Sequence, residues 1–423
     1  MRRRVVISAG GAVSAIGIGL EQFWRNCLEG ISAVAAIPSA WDRYAELHSR
    51  LWSPLPEIDF EALGIVRTER LQLDPFAMLA LAAAREALLN AGFSLVPAQR
   101  ARAFTLAGED SARVGVFLGT GIGGACTFLH SHDVHLSHGR RYNPFVVSML
   151  MPNAGSAMIA NKFSLHGPNV TYCVACASGT VSVGNAYRAV RGGELELALA
   201  GGSEFLNDEH GHIFRGFDVA GTLVRDCGDP ASANRPFDQK RSGFLFSQGG
   251  AALLVLEELE HALRRGAPVI AELVGFAETF DAHSMMSMAP DGAQIERMIR
   301  AGLADAGLEA AAVGYVNAHG TGTRNNDEIE SRAIERVFGG TVAVNSTKSL
   351  LGHTIGASGA FEALVTALTL RDGRTHINKN LETACCDLNF VRSAQAFHPQ
   401  VGLSQSFAFG GHNAALLLRR YNG

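Results

Sequence analysis

The sequence predicts an α/β protein made of two similar halves. Apolar strand segments and a small-residue helix recur in the same order twice along 423 residues. Hydrophobic residues make up 47% and charged residues only 18%, so much of the chain must be covered on both faces. Glycine supplies 47 residues with no collagen period, which places it at tight turns and close backbone approaches.

The first half offers strands at Val5–Ala9, Val114–Leu118, Val170–Cys173, Leu195–Ala200 and Ala251–Leu256, with a helix over Gly179–Arg191 after the third. The second offers Val269–Phe276, Val313–Ala318, Val342–Asn345, Val401–Gln405 and Ala414–Leu418, with a helix over Gly356–Arg371 after its third. Two stretches carry the match: NVTYCVACASGTVSVGNAYRAV parallels TVAVNSTKSLLGHTIGASGAFEALV, and LALAGGSEF parallels VGLSQSFAFGG. The polar HALRRGAP, His261–Pro268, marks the join, which divides the chain into residues 1–260 and 261–423. Both helices are rich in Ala, Val, Ser and Gly, which suits burial from most sides between two sheets. Segments Pro38–Leu73, Thr127–Asn153 and Asn207–Phe237 interrupt the repeat and are expected to build walls, lids and subunit contacts.

Arg2-Arg3-Arg4 before VVISAGGAVSAIGIGL has the look of a signal peptide. A buried first strand ending in a Gly10-Gly11 turn is the other reading, and recurrence of strand-then-glycine inside the chain favours it. A net charge of −4 gives no global basic field for nucleic acid or anionic membrane, and no run of about 20 apolar residues reads as a span. Seven cysteines are no disulfide scaffold and suit a reducing, cytoplasmic setting.

Cys176 lies in VACASGT, between a β-rich stretch and a helix. Free N–H groups at a helix start favour a thiolate, and small neighbours admit a substrate. This is the cysteine form of a strand–turn–helix nucleophile elbow, although a small buried cysteine fits the same local text. His319 ends a strand in VNAHGTGT, and Lys348 and His353 lie in NSTKSLLGHTIGASG, at the turn that matches Cys176 in the repeat. Lysine is rarely buried unpaired, and Glu362 in the following helix is its candidate partner. A pseudo-twofold would bring thiol, imidazoles and ammonium together, a set suited to acyl transfer. In SFAFGGHNA, Phe407 and Phe409 precede two glycines; the Phe409 N–H could face an oxyanion and an apolar ring could close a pocket.

With these four blocks in view, the whole chain resembles the β-ketoacyl-acyl-carrier-protein synthases of the elongating Cys-His-His type. The resemblance implies the thiolase fold, with pseudo-symmetric halves in five α-β-α-β-α layers, and a dimer. It implies Cys176 as acyl-accepting nucleophile, His319 and His353 as promoters of malonyl decarboxylation, and Lys348 as support for the histidines with Glu362 as its structural partner. The N–H groups of Cys176 and Phe409 would form the oxyanion hole. Ile122 in GTGIGG would line the acyl pocket with Phe407 and Phe409, and Thr321 and Thr323 would bind the phosphopantetheine arm of an acyl carrier protein. No metal or other cofactor is implied. The partner would be a second copy or a chain-length-factor-like subunit.

Some positions depart from the family's pattern. Ser242 and Gln248 replace acids in RSGFLFSQGG, Gln405 replaces an asparagine, and Ala408 replaces a glycine in the loop that gates the acyl pocket. Met285, Met286 and Met288 fall near the expected pantetheine contact. These changes favour a synthase of secondary metabolism, of aryl-polyene or polyketide type, over housekeeping fatty acid elongation. A dehydrogenase is a poor alternative: Gly119, Gly121 and Gly124 fit G-x-G-x-x-G, but RRYNPF stands where an acid is needed. A degradative thiolase lacks its second cysteine here, and a non-catalytic chain-length factor would lack the nucleophile. His130, His132, His135 and His138, in HSHDVHLSH, fit no standard metal spacing and read as a solvated insertion loop. Cys385-Cys386 reads as structural.

Overall fold

The structure is a computed structural model describing residues 3–41, 43–44, 46–139, 143–225, 228–393 and 396–423. Ten principal strands follow the two-half reading: β1 (Val5–Ser14), β2 (Val114–Gly119), β3 (Asn169–Tyr172), β4 (Leu197–Phe205), β5 (Gly249–Glu258), β6 (Ala271–Phe280), β7 (Tyr315–Asn317), β8 (Ala343–Asn345), β9 (Val401–Phe407) and β10 (His412–Arg420). The helices that matter for the site are α1 (Pro75–Asn90), α2 (Ala125–His138), α3 (Ala154–Phe163), α4 (Ser178–Gly192), α5 (His212–Val219), α6 (Ala293–Ala306), α7 (Arg324–Phe338) and α8 (Ser358–Asp372).

The strand order reads β8-β7-β9-β10-β6-β1-β5-β4-β2-β3. About its centre the order is a palindrome, each half running third, second, fourth, fifth and first strand. The pairing senses repeat as well. The second strand is parallel to the third and fourth in each half, and the fifth is antiparallel to the fourth and the first. The halves join where Val5–Ile7 of β1 pairs antiparallel with Ala271–Leu273 of β6.

Side chains alternate across these strands, so each half-sheet feeds two cores. On β5, Leu254 and Leu256 join the central core while Leu253 and Val255 face α1. On β10, Leu416 and Leu418 face the centre while Ala415 and Leu417 face α6 and α7. The layers are therefore α1 with α3, a half-sheet, α4 with α8, a half-sheet, and α6 with α7. In α8 every residue from Ser358 to Leu370 is buried, as the small-residue composition predicts. The two central helices cross at glycines: a Cβ on Gly179 would lie 2.7 Å from the Ala360 nitrogen, and one on Gly359 would lie 2.1 Å from Thr180 Oγ1.

Two expectations change. β1 does not stop at Gly10-Gly11 but continues to Ser14. These glycines admit close neighbours rather than a turn: a Cβ on Gly10 would lie 2.6 Å from Leu364 Cδ1, and one on Gly11 would lie 2.1 Å from the Ala83 carbonyl oxygen. HSHDVHLSH is not a loop but the body of α2; the side chain of His138 lies outside the described residues.

Candidate active site

Two matching turns build the site. Ala175–Ala177 forms one turn of 3₁₀ helix into α4, and Ile355–Ala357 does the same into α8. Ala175 and Ile355 both take φ 48°, a left-handed conformation that costs an L-residue roughly 1–2 kcal/mol. Each turn is tied by the serine that opens its helix. Ser178 Oγ accepts from the Val174 N–H and donates to the Ala175 carbonyl, while Ser358 Oγ accepts from the Thr354 N–H.

This geometry delivers Cys176 and His353 to each other across 177 residues of chain, with Sγ 3.1 Å from Nε2. His353 Nδ1 accepts from the Ile355 N–H at 3.2 Å, so the ring proton sits on Nε2, facing the sulfur. His319 has the same polarity by another means. Its Nδ1 lies 3.1 Å from the Lys348 ammonium, which only donates, leaving the proton on Nε2. The two rings meet edge to face at 5.5 Å. Donor atoms of Cys176, His319 and His353 all lie within 4.8 Å of one another. A cation in that triangle would be opposed by the ammonium behind His319.

Lys348 and Glu362, 2% and 1% exposed, form a buried ion pair. The other Glu362 oxygen accepts from Ser406 Oγ at 3.2 Å, and Ser406 bonds Thr180 of α4 at 2.8 Å. Burial first, then the Lys348 charge, drive both imidazoles well below the ordinary histidine range, with His353 adding to the effect on His319. Both are therefore neutral donors at neutral pH. Burial pushes the Cys176 thiol up to about 12, against the pull of Lys348 and of the backbone N–H groups of Phe409 and Cys176, which face the sulfur.

A cavity of about 620 Å³ opens on Cys176, His319 and His353, and Thr321, Thr323, Phe407 and Phe409 line it. Thr321 and Thr323 bond each other through their hydroxyls at 2.9 Å. Phe407 packs edge-on against His319 at 5.5 Å, and Phe409 stacks on Phe217 of α5 at 6.5 Å. Met286 and Met288 share the wall. Ile122 does not line this cavity: it is 38% exposed in the GTGIGG loop, its N–H donating to Glu204.

Two buried carboxylates went unnoticed in the sequence. Glu204, at the end of β4, accepts from the N–H groups of Gly121, Ile122 and Gly356 and from Thr120 Oγ1, pinning the GTGIGG loop to the second turn. Glu330 of α7 accepts from the N–H groups of His319 and Gly320 at 2.7 and 2.8 Å and fixes the backbone that carries the imidazole. Burial pushes both up to about 7. The departures from pattern keep local roles. Gln405 Nε2 donates to Glu330 at 2.7 Å, Gln248 Oε1 accepts from the Leu55 N–H and Ser242 Oγ from the Arg225 N–H. Ala408 is buried in the central core and lines the cavity.

The comparisons with known proteins agree with this geometry. Residues 2–262 match the family model described as Beta-ketoacyl synthase, N-terminal domain, and residues 270–382 match its C-terminal domain. The chain is 34% identical over 430 residues to a 3-oxoacyl-[acyl-carrier-protein] synthase 2 of Synechocystis sp. and 36% identical over 427 residues to one of Staphylococcus aureus, each alignment covering 99% of both chains. Among solved structures, a beta-ketoacyl synthase from Burkholderia phymatum STM815 superposes with TM-score 0.88 at 33% identity, over 99% of this chain and 100% of that one. The ishigamide ketosynthase/chain length factor gives 0.87 at 30% identity, and a ketosynthase with its type II PKS acyl-carrier protein, bound to the hexaketide, gives 0.87 at 27%, both over 100% of each chain. A thiol, two neutral imidazoles and a buried ammonium at the meeting of twin turns, on a thiolase fold, thus place the chain in the β-ketoacyl synthase family of acyltransferases.

Proposed function

We propose that the chain catalyses decarboxylative Claisen condensation of an acyl thioester with malonyl-acyl-carrier protein. The observation that carries this reading is the shared polarity of His319 and His353. Both present Nε2–H to the cavity that holds the Cys176 sulfur, an arrangement that stabilises an enolate oxygen.

Cys176 sulfur attacks the incoming thioester and the carrier thiol leaves with the proton. The N–H groups of Cys176 and Phe409 hold the tetrahedral oxyanion. Malonyl thioester then enters beside Thr321 and Thr323, which bind the phosphopantetheine arm. Its C–CO₂ bond breaks, and the electron pair becomes an enolate whose oxygen accepts from His319 and His353. The enolate carbon attacks the acyl-Cys176 carbonyl, the new C–C bond forms, and the sulfur leaves and takes a proton from water, giving a β-ketoacyl thioester, with the CO₂ already released. Lys348 holds the tautomer of His319, Glu362 neutralises Lys348, and Ile122 bounds the acyl pocket once the dimer is assembled.

We assign the chemistry to secondary metabolism, supported by the Ala408 and Gln405 departures and by likeness to a ketosynthase of a type II PKS and to a ketosynthase/chain length factor. The 3-oxoacyl synthases at 34–36% identity support fatty acid elongation as the second reading. We divide the chain functionally at 260/261, nucleophile before and histidines after. No described helix is long and apolar enough to cross a membrane, and we place the enzyme in the cytoplasm. The exposed Ile122, Phe145, Val147 and Met151 form the dimer face, for a second copy or a chain-length-factor-like subunit. Mass spectrometry after incubation with a panel of acyl-carrier thioesters tests the proposal. One adduct on Cys176, discharged by malonyl carrier, is expected; an adduct on another cysteine alone refutes it.

A further inference from the structure

Among the described residues, the second place where metal-binding side chains converge lies away from the cavity, where α2 meets the chain entering α5. His130, His132 and Asp133 project from α2, and Glu209, His210 and His212 come from the opposing segment. They line a common depression of about 510 Å³. Donor atoms of Asp133, Glu209 and His210 lie within 4.8 Å of one another. His130 Nδ1 reaches Glu209 Oε2 at 3.3 Å, and the His210 ring lies 5.7 Å from that of His212.

We propose that Asp133, Glu209 and His210, with water in the remaining position, form a binding site for a divalent transition-metal ion of the zinc class. Distance and donor chemistry both support a metal over a set of ion pairs. His210 Nε2 stands 3.4 Å from Asp133 Oδ2, longer than the roughly 2.7–2.9 Å of a charge-assisted hydrogen bond. Bonds of about 2.0–2.2 Å from zinc to nitrogen or oxygen span a tetrahedron whose edges are about 3.3–3.6 Å, and the His210–Asp133 separation of 3.4 Å matches such an edge. Mixed imidazole and carboxylate donors suit zinc and its neighbours better than calcium or magnesium, which take oxygen ligands. The side chains of Asp133 and His210 are 30% and 26% exposed, open enough for an ion to enter. Asp208, beside them, is occupied otherwise: it accepts from the N–H groups of His210, His212 and Ile213 and shapes the loop. A bound ion would cross-link α2 to the segment leading into α5, the helix whose Phe217 stacks on Phe409.

The test uses the full chain carrying Cys176→Ala, because Cys176, His319 and His353 are a second group of close donors. Equilibrium dialysis against zinc chloride, with elemental analysis, should find one zinc per chain. Removing even an outer-shell partner weakens a metal site about 10–100-fold, so His210→Ala and the isosteric Asp133→Asn should each weaken binding at least tenfold. Cobalt in place of zinc should give visible d–d absorption that His210→Ala abolishes, and thermal melting without metal reports whether each variant is folded. No bound zinc in the Cys176→Ala protein, or zinc affinity unchanged in folded His210→Ala and Asp133→Asn, overturns the assignment.

Discussion

Replacing Lys348 with methionine separates its structural role from its electrostatic one. The side chain is 2% exposed and its only anionic partner among the described residues, Glu362, is 1% exposed. Removing one member of such a pair leaves an uncompensated buried charge and costs about 3–5 kcal/mol. Removing both, as Lys348→Met with Glu362→Gln, restores most of that loss, since well-packed neutral replacements of a buried pair are often tolerated. The electrostatic role follows different arithmetic. Lys348 exerts the largest pull favouring the Cys176 thiolate, so its loss raises that thiol further. Thiolate fraction falls as the thiol rises, so iodoacetamide alkylation of Cys176 near pH 8 should slow in both variants. Urea unfolding and alkylation kinetics together make the assay. Equal unfolding midpoints for parent and Lys348→Met, or an alkylation rate restored in the double variant, would refute the reasoning.

Cys176→Ala should abolish both the acyl adduct and condensation while melting within a few degrees of the parent; an unfolded variant would mark the residue as core instead. His319→Ala and His353→Ala should each retain some acylation but lose CO₂ release by roughly 10²–10³-fold, the cost of one oxyanion donor, measured with malonyl carrier. Because both imidazoles lie well below the ordinary histidine range, their ring resonances should show no titration near pH 6.5 by NMR; an inflection of His319 or His353 at that value would contradict neutral donors. His261, held between Glu109 and Glu257 at 2.9 and 2.8 Å, is raised to about 9 by those hydrogen bonds. A raised folded-state value stabilises fully below about 6.5 and is lost as pH rises through about 9. His261→Ala should therefore lower stability by about 2–3 kcal/mol near pH 6 and far less above pH 10, read from unfolding midpoints.

The architecture was legible wherever a strand's burial is local. Each of the ten expected strands is present, most because their apolar runs are buried, while β3 at the sheet edge forms although none of its residues is fully buried. The twin turns were legible because Cys176 and Lys348–His353 sit in texts that align. Glu204 and Glu330 were not: a carboxylate that accepts backbone N–H groups from distant loops leaves no sequence period, only an acid at a strand end and another on a polar-looking helix. Gly10 and Gly11 misled because glycine marks a turn and a close approach alike, and only the positions of Leu364 and Ala83 decide between them. The histidines of α2 looked like loop because their spacing was judged alone; their partners Glu209 and His210 lie some 75 residues on in the chain.

The twin turns have an evolutionary corollary. If one gene segment was doubled, the ancestor possessed two equivalent elbows, and only one stayed armed. The counterpart of Cys176 is Gly356, where a Cβ would come within 2.3 Å of the Gly121 nitrogen and 2.7 Å of Glu204 Oε2. No thiol can be reinstalled there without displacing the loop that now leans on it. At the second elbow glycine lets the first half's backbone approach, and the turn offers His353 instead of a thiol. Such a division of labour is hard to reverse: engineering a two-nucleophile form would require rebuilding both the GTGIGG loop and the carboxylate that fastens it.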